Sequence, residues 1–346
     1  MSRQQSKTHH RCHSHNFCPR FGIVVKAERV STSDSLTLDS HLSYHVLIVP
    51  SSRPMLLSST VNIVFYALII LFILLAFIMC IVVCIAMFIS RKTIKKHRTD
   101  YLLLANSYIA LFIAAPVFFD LGAHSIYGHV HPQSSFDTFS CRFKSYLIYF
   151  LGYVYFYSFF LQSIYRYCRI VYHTRIQLQS FRLYVLLSLS IWINGVWQVL
   201  PSLLLGHIDY VPDEFHCQLP ANKLWSSLIG LSIMFVIPYL LTLVCYACTM
   251  YHVRQRTAEL SHVNQQARLR RDLLILQRIV LLLTAVIMVA MPHVIIPIVY
   301  TVFRYIPSWA SSFEWMTTVL ALASASFIQI FVSPFMRQLF KRSRTQ

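Results

Sequence analysis

CRFKSYLIYFLGYVYFYSFFLQSIYRYCRIVYH, residues 141–173, is the stretch that decides the architecture. It opens on Cys141 beside Arg142 and Lys144, runs without a charge from Ser145 to Tyr165, and closes on Arg166. At about 1.5 Å per residue, a helix from Cys141 to Arg166 is roughly 37 Å long, enough to cross a hydrocarbon layer about 30 Å thick with some tilt. One helix thus carries a cysteine at one membrane face and an arginine at the other.

The rest of the chain has the same character. Of 346 residues, 56% are hydrophobic, 12% are charged and only seven are glycine. A soluble domain cannot hide that much apolar surface, so the class is a polytopic membrane protein. The formal net charge of +18 could also fit a nucleic-acid binder, but the placement of the basic residues argues against it.

Six further apolar segments surround the Cys141 helix. Pro54 to Ser90 contains no charge and predicts a first span; the basic loop RKTIKKHR, residues 91–98, follows it. A second span runs from about Tyr101 to Phe119 and is closed by Asp120. Leu183 to Leu205 is the fourth span. Leu224 to Met250 is the fifth, broken by Pro238, and Ile279 to Phe303 the sixth, broken by Pro292. Trp315 to Phe335 is the seventh. The expectation is an all-α bundle of seven transmembrane helices, residues 58–336. A tail, residues 1–57, precedes it, and a short cytoplasmic amphipathic helix and tail, residues 337–346, follows.

Loop charges orient the bundle. The loops after spans one, three and five, with the C-terminal end, hold nineteen Lys/Arg, against four in the opposite loops and the mouth of the third span. That excess places the C-terminus in the cytoplasm and, with an odd number of spans, the N-terminus outside. A basic rim of this kind suits anionic lipid and an acidic protein partner, and not nucleic acid.

The tail differs in composition. It carries seven Lys/Arg, which run against the orientation rule, and the knot His9, His10, Cys12, His13, His15 and Cys18. Imidazole and thiolate are zinc ligands, but this spacing fits no standard finger, and the plain reading is a disordered tail with no metal. No apolar stretch of the signal-peptide kind follows the charged start. A second reading begins translation at Met55, which would remove the charge conflict.

Seven spans with Cys141 and Arg166 on the third resemble the rhodopsin-like G-protein-coupled receptors over about residues 58–342. Other positions carry the resemblance further. Cys217 lies in the second outer loop, where that family has the partner of its helix-three cysteine. Trp192 suits the tryptophan of helix four, and Pro238, Pro292 and Pro334 suit the prolines of helices five, six and seven. Tyr246, eight residues after Pro238, matches the family's cytoplasmic-side tyrosine. The departures are equally specific. Tyr165 stands where the family has a carboxylate, and Ala110 where it has the helix-two aspartate, which leaves a sodium site doubtful. Val289, Ala290 and Met291 precede Pro292 with no tryptophan among them. Ser333, Pro334, Phe335, Met336 and Arg337 lack the asparagine and tyrosine of the usual helix-seven motif. The pattern resembles a divergent branch of the invertebrate orphan type.

The resemblance implies a plasma-membrane receptor that binds an extracellular ligand (a peptide, lipid or odorant) and activates a heterotrimeric G protein. It implies a Cys141–Cys217 disulfide, with Cys80, Cys84, Cys168, Cys245 and Cys248 left as thiols. It makes Arg166, Tyr165 and Tyr246 the coupling residues, and places a restraining carboxylate for Arg166 at Asp272 on helix six. The competing reading pairs Asp272 locally with Arg268 or Arg271. Candidate pocket residues in the outer half are Asp120, Tyr149, Tyr153, Gln198, His293 and Glu314. Each has a bland alternative. Tyr149 and Tyr153 share one helix face and could only pack. His293 could satisfy a carbonyl freed by Pro292. Asp120 and Glu314 could be hydrated helix ends. No acid lies in the outer third of helix three, so the aminergic binding mode is not supported.

Other classes fare worse. No phosphate-binding glycine loop, metalloprotease helix motif or intramembrane aspartate pair is present, which argues against an enzyme and any cofactor. None of the twelve acidic residues lies at mid-membrane, which argues against a transporter. A chemosensory channel subunit of inverted topology requires a cytoplasmic N-terminus, which the loop charges oppose. Beyond Pro334, Phe335, Met336, Leu339 and Phe340 recur at helical spacing with Arg337, Lys341 and Arg342 between them, as in a helix lying on a membrane surface. Ser343 and Thr345 are the only tail hydroxyls beyond it, and no cysteine follows Cys248.

Overall fold

In the computed structural model, residues 23–26, 45–48, 52–89, 98–132, 136–172, 174–220, 223–257, 263–303, 305 and 307–332 are described. Contacts divide the chain into residues 1–59 and residues 60–346. In the first unit, β1 (Ile23–Lys26) pairs antiparallel with β2 (His45–Ile48), Ile23 opposite Ile48. Both strands are rich in the β-branched and aliphatic residues that fit a pleated surface. The His/Cys knot of residues 9–18 and the segment 333–346, with Pro334 and the expected surface helix, lie outside the described residues.

Seven helices among the described residues are long and apolar enough to cross a membrane. They are α1 (Ser52–Ile89), α2 (Arg98–Val130), α3 (Phe139–Val171), α4 (Phe181–Leu204), α5, α6 and α7 (Ala310–Val332). Two of them are interrupted. α5 runs through Leu224–Leu231, a π turn at Ser232–Val236, and Ile237–Thr257. Pro238 has no N–H to give the carbonyl one turn back, and the wider turn just before it absorbs the mismatch. α6 comprises Val263–Ala290 and Pro292–Phe303, parted at Met291 for the same reason.

α1 shows how an all-apolar helix is sorted. Tyr66, Ile69, Ile73, Ala76, Cys80 and Val83 recur three or four residues apart and are buried. Leu71, Leu74, Leu75 and Ile78 are exposed on other faces, as expected of a helix that also meets lipid. α3 is the central member, packing on α2, α4, α5 and α6. Thr138 caps its start by accepting the Cys141 N–H. Polar side chains join helices where the surroundings are apolar. Asn106 of α2 donates to the Ser158 hydroxyl at 2.7 Å and accepts from the Trp192 indole of α4 at 2.8 Å. Tyr108 donates to the Ser326 carbonyl of α7 at 2.7 Å.

Between α4 and α5 the chain forms a hairpin, β3 (Asp209–Val211) with β4 (His216–Gln218), Tyr210 opposite Cys217. Cys217 is bonded to Cys141 at 2.04 Å, which pins β4 to the start of α3. All three residues of β4 are buried. Phe215, at the turn, has φ +57° and packs over Gly128 of α2, where a Cβ would come within 2.1 Å of the Phe215 ring. This contact accounts for a correction to the sequence expectation. α2 does not end at Asp120 but continues for ten residues to Val130, because the hairpin covers its polar, glycine-containing extension.

Candidate ligand cleft and arginine site

The hairpin, α3, α5, α6 and α7 line an open cleft of about 350 Å³ at the disulfide end of the bundle. Its polar lining includes Tyr149, Asp213, Glu214, Gln218, His293 and Glu314. His293 directly follows the Pro292 break. Its Nδ1 contacts the Glu314 carboxylate and its Nε2 the Thr318 hydroxyl, so one ring joins α6 to two turns of α7. The Tyr149 hydroxyl accepts the Leu219 N–H at 3.3 Å, and its ring lies 6.1 Å from that of Trp315. Trp315 in turn donates to Gln218 Oε1 at 2.6 Å.

Behind this lining the hairpin is tied into the bundle by a buried polar network. Glu214 Oε2 accepts the Tyr66 hydroxyl of α1 at 2.6 Å and the Ser312 hydroxyl of α7 at 2.7 Å. His216 Nδ1 lies 3.2 Å from the Tyr66 hydroxyl and 3.3 Å from that of Ser125 on α2. Gln218 donates to the Ser311 hydroxyl at 2.8 Å. Burial pushes the Glu214 carboxyl up to about 7, against the pull of its two hydroxyl donors. Burial holds the His216 ring down to about 4.

Of the six pocket candidates, the structure brings together Tyr149, His293 and Glu314. Asp120 is not a free helix end. It lies within α2, 2.7 Å from Lys144 and 3.3 Å from His124, beside a smaller cavity of about 70 Å³ near the disulfide. Tyr153 is buried against Gly195 of α4 and stacks on Tyr157 at 4.1 Å. Gln198 is exposed on α4. Neither Tyr153 nor Gln198 lines the cleft. Sequence reasoning passed over Glu214, Gln218, Tyr66 and Ser312; the only signal was the closeness of two acids, Asp213 and Glu214, to Cys217.

At the other end of α3, Arg166 is 8% exposed and its Nη2 lies 2.6 Å from Asp100 Oδ1. This is a close ion pair. Arg169 approaches the other Asp100 oxygen at 3.7 Å. Asp100 stands in the first turn of α2, where the helix dipole favours a carboxylate. The Arg166 guanidinium is 5.5 Å from the Tyr165 ring, which packs edge-on against Tyr184 at 5.0 Å. Tyr246 is half-buried on α5. The Asp272 side chain lies outside the described residues.

Residues 112–333, more than half of the chain, match the model of the 7 transmembrane receptor (rhodopsin family). The chain belongs to that family. No curated protein sequence matches it. This rhodopsin-family receptor is a multi-pass membrane protein, and its seven helices, α3 disulfide and α4 tryptophan contact now have a common setting. On α3 the residue before Arg166 is Tyr165, so no carboxylate adjoins the arginine there, while Asp100 reaches it from α2.

Proposed function

We propose that this receptor sits in the plasma membrane with its N-terminus outside, binds a ligand in the cleft under the β3–β4 hairpin, and activates a heterotrimeric G protein at the Arg166 end. The observation that carries the ligand reading is the charge of the cleft. Two carboxylates, of Asp213 and Glu314, line it beside the buried acid Glu214, with no lysine or arginine among the described lining residues. The ligand therefore carries a positive charge, as an amine or a basic peptide does. That cation is met by the loop and α7, not by α3. The disulfide at the same end supports an outward orientation, since such bonds form in the secretory lumen.

The test is a G-protein activation assay on surface-expressed receptor, screened with cationic peptides and amines. Glu314→Gln should lower the potency of an active compound by about tenfold, the loss of about 1.4 kcal/mol of charge-assisted contact. An anionic or purely apolar activator unaffected by Glu314→Gln and Asp213→Asn would overturn the ligand reading. An external C-terminal epitope tag, detected without permeabilisation, would overturn the orientation.

A further inference from the structure

Glu214 is buried, at 2% exposure, yet no lysine, arginine or histidine pairs with its carboxylate among the described residues. A buried charge without a counter-ion is strongly unfavourable, and such a group tends to hold a proton instead. Its neutral form keeps what the structure uses: one oxygen that accepts from Tyr66 of α1 and from Ser312 of α7. Through those two bonds a residue of the hairpin joins the helices nearest the two ends of the bundle sequence. Glu214 also lines the cleft, so water and protons reach it without unfolding.

We propose that Glu214 is a proton-binding site that makes the seating of the β3–β4 hairpin, and with it the receptor's output, depend on external pH. Losing the proton buries a bare charge between α1 and α7 and favours arrangements in which the hairpin lifts and the carboxylate meets water. Among the described residues, the groups around it come from four elements. They are Tyr66 from α1, Asp213 and His216 from the hairpin, and Ser312 and Glu314 from α7, with Glu314 already engaged by His293 of α6; behind them Ser125 of α2 meets His216 and His129 of α2 meets Tyr66 and Phe215. Asp213 and Glu314 are like charges that add to the rise caused by burial.

The two titrating groups of the hairpin act in opposite directions. The carboxyl of Glu214 rises from 4.5 to about 7 on folding, so its contribution favours the seated form in acid and is lost as pH climbs through that interval. His216 falls from 6.5 to about 4, so its contribution is lost as pH drops through that interval. Below about pH 6.5 the two offset each other in the wild type, whereas nearer neutrality only Glu214 titrates. A comparison of variants separates them.

Full-length receptor in lipid nanodiscs is melted between about pH 5 and pH 8, as wild type and as Glu214→Gln, which keeps the acceptor oxygen and cannot ionise. The melting temperature of Glu214→Gln should gain on wild type as pH rises to about 7 and level off above it. In cells, ligand-free output of the wild type should titrate with external pH near neutrality, and that of Glu214→Gln should not. A melting difference that is the same at every pH, or one output profile shared by both proteins, overturns the proposal. If Glu214→Gln does not fold, Ser312→Ala takes its place. It removes one donor to the charged form and should move the output midpoint up by about half to one pH unit; an unmoved midpoint overturns the proposal. The output arm rests on the coupling reading above, whereas the melting arm needs no G protein, so the two fail separately.

Discussion

The guanidinium of Arg166 lies 2.6 Å from the carboxylate of Asp100, joining the last turns of α3 to the first turn of α2. The resemblance leads one to expect a carboxylate beside the arginine on its own helix. Here that neighbour is Tyr165, and a carboxylate comes from the adjacent helix. Both side chains are largely shielded, at 9% and 20% exposure, so the pair is screened less than a surface bridge.

Asp100→Asn should therefore release Arg166 and raise ligand-free G-protein activation. A pair contributing about 1 to 1.4 kcal/mol gives a rise of about five- to tenfold. Arg166→Ala should abolish output. Asp272→Ala is the parallel arm, because the family resemblance assigns a restraining carboxylate to α6. Basal activity unchanged in Asp100→Asn at matched surface expression would show that α2 does not hold the arginine.

Replacing Cys141 or Cys217 with serine should impair surface delivery, since the bond closes a separation of 76 residues and a native disulfide typically contributes about 2 to 5 kcal/mol. Peptide mapping without reduction checks the linkage. A bond from Cys12 or Cys18 to Cys217 would contradict it.

Gly128 is glycine for a steric reason. A Cβ there would stand 2.1 Å from the Phe215 ring, so Gly128→Ala must push the ring and its turn aside. We expect a destabilisation of about 1 to 3 kcal/mol, read as a lower melting temperature. Adding Phe215→Ala should recover part of that loss. Simple additivity of the two changes would mean that the contact is not the cause.

Trp192, Asn106 and Ser158 form a bridge between α4, α2 and α3. Trp192→Phe keeps a ring but removes the donor, leaving Asn106 Oδ1 without its indole partner. Interhelical hydrogen bonds in membranes contribute about 0.6 to 1.7 kcal/mol. A melting temperature lower by a few degrees, with orientation unchanged, is the expected outcome. A variant as stable as wild type would assign the tryptophan to packing alone.

The seven spans, the reach from Cys141 to Arg166 and the breaks at Pro238 and Pro292 could all be read from the sequence. Each depends on residues close together in the chain: some twenty apolar side chains in a row, or one proline without an N–H. Only the tertiary structure decided the rest, because it turns on which distant groups share a face. Residues 121–130 look like a loop by composition and form helix where Phe215 packs on Gly128 and His216 meets Ser125. Gln198 and Tyr149 are comparable polar candidates on neighbouring helices, yet one faces outward and the other the cleft. Glu214 became a buried acid only when Tyr66, 148 positions away, and Ser312, 98 positions away, closed on it. A hydropathy pattern reports how much of a segment leaves water. It does not report which polar atoms meet once seven such segments pack, and the chemistry of this receptor lies in those meetings.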